Sequence, residues 1–89
     1  MNKYHEIQGI DFINDNLHIV IDGKAYEFPL HVISKRLFNA SDIERRTYHI
    51  SSSGYGIHWK LIDEDLSIDG LLGIHHSPAF TNEVNPFPQ

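Results

Sequence analysis

The chain has no cysteine. No disulfide can form, and no thiolate is available as a nucleophile or soft metal ligand. That usage fits a reducing cytoplasm. No apolar run approaches the roughly 20 residues that span a bilayer, and no basic-then-apolar N-terminal segment reads as a signal peptide. The expectation is a cytoplasmic chain without a membrane association. Positive charge is also scarce. Lys and Arg total 7 against 12 Asp and Glu, for a formal net charge of −5. Nucleic acids select basic surfaces, because affinity comes largely from phosphate neutralisation and counterion release. Autonomous nucleic-acid binding is therefore not expected. The one candidate basic patch pairs Lys35-Arg36 with Arg45-Arg46.

What is present fits one small domain. The 89 residues leave no room for a second core, and a chain of this size buries only about 60–70% of its unfolded surface. Ile7 to Ile13 reads as a first strand, closed by Asn14-Asp15-Asn16. Leu17 to Asp22 and Lys24 to Phe28 read as two more, joined by Asp22-Gly23. Asp-Gly between alternating apolar residues signals a type I′ hairpin, whose central residues both need positive φ. A two-residue loop sets Ile21 against Lys24, Ile19 against Tyr26 and Leu17 against Phe28. Those residues then share one face, and His18, Val20, Ala25 and Glu27 share the other.

After Pro29 the period changes. Leu30, Ile33 and Leu37 form one helical stripe. Ser41-Asp42-Ile43-Glu44 matches a capping box and starts a helical turn. Thr47 to Ile50, a turn at Ser51 to Gly54, and Tyr55 to Ile62 read as a second hairpin. Its apolar face carries Tyr55, Ile57, Trp59 and Leu61, with Trp59 as a core aromatic. Asp63-Glu64-Asp65 then breaks the alternation, and Ser67 caps a last helix with Ile68, Leu71 and Leu72 on its stripe and Gly73 as its stop. From His75 on, the text is aperiodic and holds three of the four prolines. The expected organisation is one α+β domain over residues 1–74 and a flexible C-terminal tail over 75–89. Its antiparallel sheet is a three-strand meander plus a later two-strand hairpin, with two or three short helices on one face.

The densest polar group is His58 with Asp63, Glu64 and Asp65. It could hold a hard metal or pair a histidine with a carboxylate for acid–base work. Consecutive residues of extended chain point to opposite sides, which argues against three carboxylates converging on one ion. A helix-capping role, or a partner-facing acidic patch, suits them better. His75-His76 lacks the spacing of a chelating pair. There is no phosphate-binding glycine loop and no nucleophile elbow. No catalytic constellation, cofactor or metal site is assigned, and the chain is not expected to be an enzyme.

The block from Gly56 to Gly73, with His58-Trp59, Asp63-Glu64-Asp65 and Gly70-Leu71-Leu72 at fixed spacing, resembles the signature of a bacterial family, domain-of-unknown-function family 2442. The upstream order Asp22-Gly23, Phe28-Pro29-Leu30, Arg36-Leu37 and Ala40 fits as well, so the resemblance covers roughly residues 8 to 73. Two departures are Lys60 and Lys35, where the family usually or often has proline. The resemblance implies a small α+β domain without an established activity. It also implies an accessory role: some members look fused to a helix-turn-helix domain, and stand-alone members resemble one half of a toxin–antitoxin pair.

The leading expectation is thus a protein-binding module, the antitoxin-like or accessory half of a two-gene pair, with a small basic protein as partner. His58, Asp63, Glu64 and Asp65 are its candidate contacts. The alternatives are a metal-binding or metal-assisted hydrolase domain using His58 with Asp63 or Asp65, and a DNA-binding accessory subunit active only in a complex.

Overall fold

Two three-stranded antiparallel sheets organise the chain in a computed structural model that describes residues 4–75. The first sheet is β1 (Ile7–Ile13), β2 (Asn16–Ile21) and β3 (Lys24–Pro29), in that order. Both of its turns use two residues with positive φ, Asn14 and Asp15 in one, Asp22 and Gly23 in the other. Gly, Asn and Asp tolerate that region best, which is why these turns close here. The pairing Ile21 with Lys24, Ile19 with Tyr26 and Leu17 with Phe28 is the register expected from the turn. Leu17, Ile19, Ile21 and Phe28 are buried on one face, while Ala25 and Glu27 stay exposed on the other.

The helical stripe after Pro29 is two short pieces, α1 (Leu30–Ile33) and α2 (Lys35–Phe38). Ser34 interrupts them in extended conformation, and its hydroxyl accepts a hydrogen bond from the Leu37 N–H at 3.1 Å. A serine that can bond the following turn competes with helix continuation. The stripe survives the break, since Leu30 and Leu37 are both fully buried. Next, α3 (Asp42–Arg46) has both arms of the capping box between Ser41 and Glu44. Arg45 and Arg46 fasten it down. The Arg45 guanidinium donates to the Leu37 and Phe38 carbonyls and to Asp15. Arg46 reaches Asp42, Asp11 and the Phe12 carbonyl.

The second sheet is β4 (His49–Ile50), β5 (Gly56–Trp59) and β6 (Glu64–Ser67). Here the structure departs from the expected two-strand hairpin. β5 is four residues long, so Tyr55 and Leu61 lie beyond its ends and are exposed. Ile57 and Trp59 alone of that predicted face are buried. The Trp59 indole N–H donates to the Arg45 carbonyl at 2.8 Å, which satisfies the buried donor. The acidic segment does not end the sheet. A turn over residues 60–63, with Asp63 at φ 52, folds it back as a third strand.

The last helix, α4 (Ile68–His75), starts where expected, with the Ser67 hydroxyl accepting from the Gly70 N–H at 2.8 Å. It runs past Gly73, so that glycine does not stop it. Apart from His75, the tail expected over 75–89 lies outside the described residues. Ile68 and Leu71 complete one core with both sheets, α1 and α2. No helix among the described residues is long and apolar enough to cross a membrane.

Candidate functional site

Alternation decides what the second sheet shows to solvent. Ile57 and Trp59 of β5 point into the core, so His58 points out. Cross-strand partners share a side of a sheet. His49 is paired with His58, His58 with Asp65, and Gly56 with Ser67. The outer face therefore carries a row His49–His58–Asp65 and beside it the row Gly56–Ser67. The His58 Nδ1 lies 2.7 Å from an Asp65 carboxylate oxygen, and the two side chains are 42% and 74% exposed.

A shallow groove of about 320 Å³ runs over this face, lined by Tyr55, Gly56, His58, Asp65, Leu66 and Ser67. Gly56 keeps its floor low, and a Cβ there would come within 3.0 Å of the Leu66 carbonyl oxygen. The Ser51 hydroxyl accepts from the backbone N–H groups of Tyr55 and Gly56 at 2.9 and 3.2 Å. That fixes the turn that projects Tyr55 over one end of the groove.

Of the four residues singled out from the sequence, the structure brings together two, His58 and Asp65. Asp63 sits in the 60–63 turn, where its carbonyl accepts from the Arg36 guanidinium. Glu64 points to the opposite side of β6 from Asp65, and its carboxylate accepts from the Ser34 hydroxyl. The helix-capping role expected for these acids is taken by Ser67 instead, since Glu64 and Asp65 are strand residues. Among the described residues no group of three or more His, Asp and Glu side chains converges as metal ligands would. The candidate basic patch is likewise dispersed, because Arg36, Arg45 and Arg46 are all engaged by groups of this same chain.

One polar cluster had no signature in the sequence. The His5 Nδ1 lies 2.7 Å from Asp22 and its Nε2 lies 2.9 Å from Asp69, with the ring 14% exposed. The Tyr4 hydroxyl donates to the second Asp69 oxygen. Only the doubly protonated imidazole can donate from both nitrogens. The hydrogen bonds that His5 donates to Asp22 and then to Asp69 accordingly hold its pKa above its ordinary value. Asp22 is held low by His5 and by the Glu6 backbone N–H, and Asp69 by Tyr4 and then His5. The Asp69 carboxylate in turn pushes the Tyr4 phenol up. Positions 5, 22 and 69 belong to three separate segments, so no spacing rule could have joined them.

A family description matches residues 7–77. The chain belongs to the family described as "Protein of unknown function (DUF2442)". Among solved structures it is similar to a protein of unknown function from Rhodospirillum rubrum ATCC 11170, with a TM-score of 0.64 and 24% identity. That likeness covers 80% of this chain and 88% of the other, and it shows a shared fold. No curated protein matches the chain. Neither the family nor the structural relative names a ligand, so a functional reading has to come from the exposed surface.

Proposed function

We propose that this chain is a protein-binding module, the antitoxin-like or accessory half of a pair, and that a small basic protein docks on the outer face of its second sheet. The observation that carries the reading is the groove beside the exposed His58–Asp65 pair, overlooked by Tyr55 at 55% exposure. Exposed tyrosine beside a shallow apolar floor is the composition of a binding hot spot. The net charge of −5, with Asp63 and Asp65 exposed at this edge, favours a basic partner, since complementary charge speeds encounter and fixes orientation. A nucleic-acid reading has less support, because the three arginines of the only candidate patch are engaged within the chain.

A double charge reversal, Asp63→Lys with Asp65→Lys, combined with Tyr55→Ala, tests the reading. Tagged wild-type protein is expected to retain one small basic protein in stoichiometric amount at moderate salt. The variant is expected to lose it while its melting curve stays close to wild type. Equal retention by both, or none by either, would remove this face from consideration.

A second reading has one observation in its favour. Asp65 holds the His58 Nδ1, which leaves Nε2 outward with no partner among the described residues, and His49 stands directly across the strand pair. A carboxylate-oriented imidazole is how metal-binding histidines are commonly presented. Metal-assisted chemistry at His58 would require a melting shift on adding zinc or manganese that His58→Ala abolishes. Asp63, the other carboxylate considered for that role, is instead a turn residue.

A further inference from the structure

The segment before β1 is tied to three elements at once. The Tyr4 and His5 backbone N–H groups both donate to the Ser53 carbonyl, at 2.7 and 3.2 Å, in the turn between β4 and β5. The Asp22 N–H donates to the Glu6 carbonyl, and the Asp22 carboxylate accepts from the Glu6 N–H, both at 2.8 Å. The His5 ring then bridges Asp22 in the β2–β3 turn to Asp69 in the first turn of α4. The approach to the β4–β5 turn is close enough to require glycine: a Cβ on Gly54, whose φ is +74, would fall 1.8 Å from the His5 carbonyl oxygen. Beyond His5, the Tyr4 ring packs against Tyr55 at 5.4 Å between centroids. Tyr55 lines the groove described above.

We infer that Tyr4 and His5 form a proton-controlled strap: with His5 doubly protonated, Tyr4 is held against Tyr55, which lines the groove, and loss of that proton loosens both. The inference rests on the reading of the groove as a docking face, and it adds the regulation of that face. A neutral imidazole has one N–H, so one of the two carboxylates would then meet a lone pair. The clasp then keeps one imidazole bond, the Tyr4 hydroxyl on Asp69, the two backbone bonds to Ser53 and the pair between Glu6 and Asp22, with the other carboxylate set against the imidazole lone pair.

The charged and titratable groups facing His5 are few. Asp22 comes from the β2–β3 turn and Asp69 from α4, while Tyr4 is its neighbour on its own segment. The β4–β5 turn presents backbone and Tyr55. Among the described residues the only positive charge placed between the two carboxylates is that of His5 itself. The sign follows. His5 binds its proton more tightly folded than unfolded, so the strap is complete below 6.5 and is lost as pH rises through the raised folded value. The opening is local, because the Leu17, Ile19 and Phe28 core does not depend on these contacts.

The experiment uses the full chain with any tag at its C-terminus and no partner. Histidine ring and backbone amide resonances are followed from about pH 5 to about pH 9, across the ordinary histidine range. The expected result is a His5 midpoint above 6.5, with the amides of Ser53, Gly54 and Tyr55 shifting at the same midpoint and those of Ile19 and Val20 unmoved. His5→Gln should abolish the shift at Ser53–Tyr55, and Asp69→Asn should move the His5 midpoint down. A His5 midpoint at or below 6.5, or a His5 titration that leaves Ser53–Tyr55 unmoved, overturns the strap. Because no partner enters the measurement, that failure would leave the docking reading standing. Retention of the partner by the groove variant would sink the docking reading while leaving a titrating strap intact.

Discussion

The two sheets of this protein are built on different terms. The first has strands of seven, six and six residues closed by two-residue turns, and its inner face supplies Leu17, Ile19, Ile21 and Phe28 to the core. Its register follows from alternation and turn chemistry, since a one-residue slip would turn every apolar side chain to water. The second has strands of two, four and four residues and buries only Ile57 and Trp59 fully. It borrows support from elsewhere: the Arg45 carbonyl on Trp59, Ser34 on Glu64, Arg36 on the 60–63 turn and the Tyr4–His5 segment on Ser53. The locally specified sheet carries stability, and the externally supported one carries the exposed groove. Surfaces that recognise partners are commonly placed where the local fold is least self-sufficient.

The comparison is broken most directly at Trp59. Trp59→Ala removes the largest buried side chain of the second sheet and is expected to cost about 3–5 kcal/mol, read from denaturant midpoints. If the first sheet keeps its hydrogen-exchange protection in that variant, the two sheets are separate cooperative units. A single loss of protection makes them one.

Ser34→Ala is the next largest. Its hydroxyl both caps α2 and donates to Glu64. Removing a helix cap costs roughly 1 kcal/mol, and leaving a partly buried carboxylate without its donor adds on the order of 1 kcal/mol or more. The effect should fall short of Trp59→Ala, and restoring the hydroxyl with Ser34→Thr should recover part of it.

The dependence on pH sharpens the contrast, because the groups that titrate abnormally link the two halves. Stability contributed by His5 is complete below 6.5 and lost as pH rises through its raised folded value. Stability contributed by Asp22 and Asp69 is present above 3.8 and lost as pH falls through their lowered folded values. Thermal melts across pH are expected to peak between those two ordinary values, and His5→Gln should flatten the alkaline side. An unchanged alkaline slope in that variant would show that the cluster is not the link.

The smallest expected effect lies on the groove. His58→Ala and Asp65→Asn touch an exposed pair, and such pairs are worth about 0–1 kcal/mol. Their melts should match wild type while partner retention falls. A large loss of stability would move His58 and Asp65 from the contact surface into the structural support of β6.

Part of the candidate site could be read from the chain. His58 with Asp65 follows from residue type and proximity, and Trp59 follows from the apolar positions around it. Glu64 could not be assigned, because its role depends on Ser34, thirty residues earlier. The helix expected through Leu30, Ile33 and Leu37 was legible as a stripe, whereas its break at Ser34 was not. The stripe is a periodic property of neighbours, and the break depends on what Ser34 meets across the core.

The sequence by itself determined the three strands of the first sheet, the β2–β3 register with its type I′ turn at Asp22-Gly23, the capping box at Ser41 and the start of α4 at Ser67. Each of these is settled within a few residues by φ preference, side-chain period or a side chain reaching its own backbone. Tertiary structure alone decided that Glu64–Ser67 is a strand, that Arg45 and Arg46 bond groups of distant segments, and that His5 meets Asp22 and Asp69. Those outcomes join positions far apart in the chain, where the cost of closing the intervening loop depends only weakly on the residues inside it. Local pattern therefore leaves no trace of which distant groups will meet.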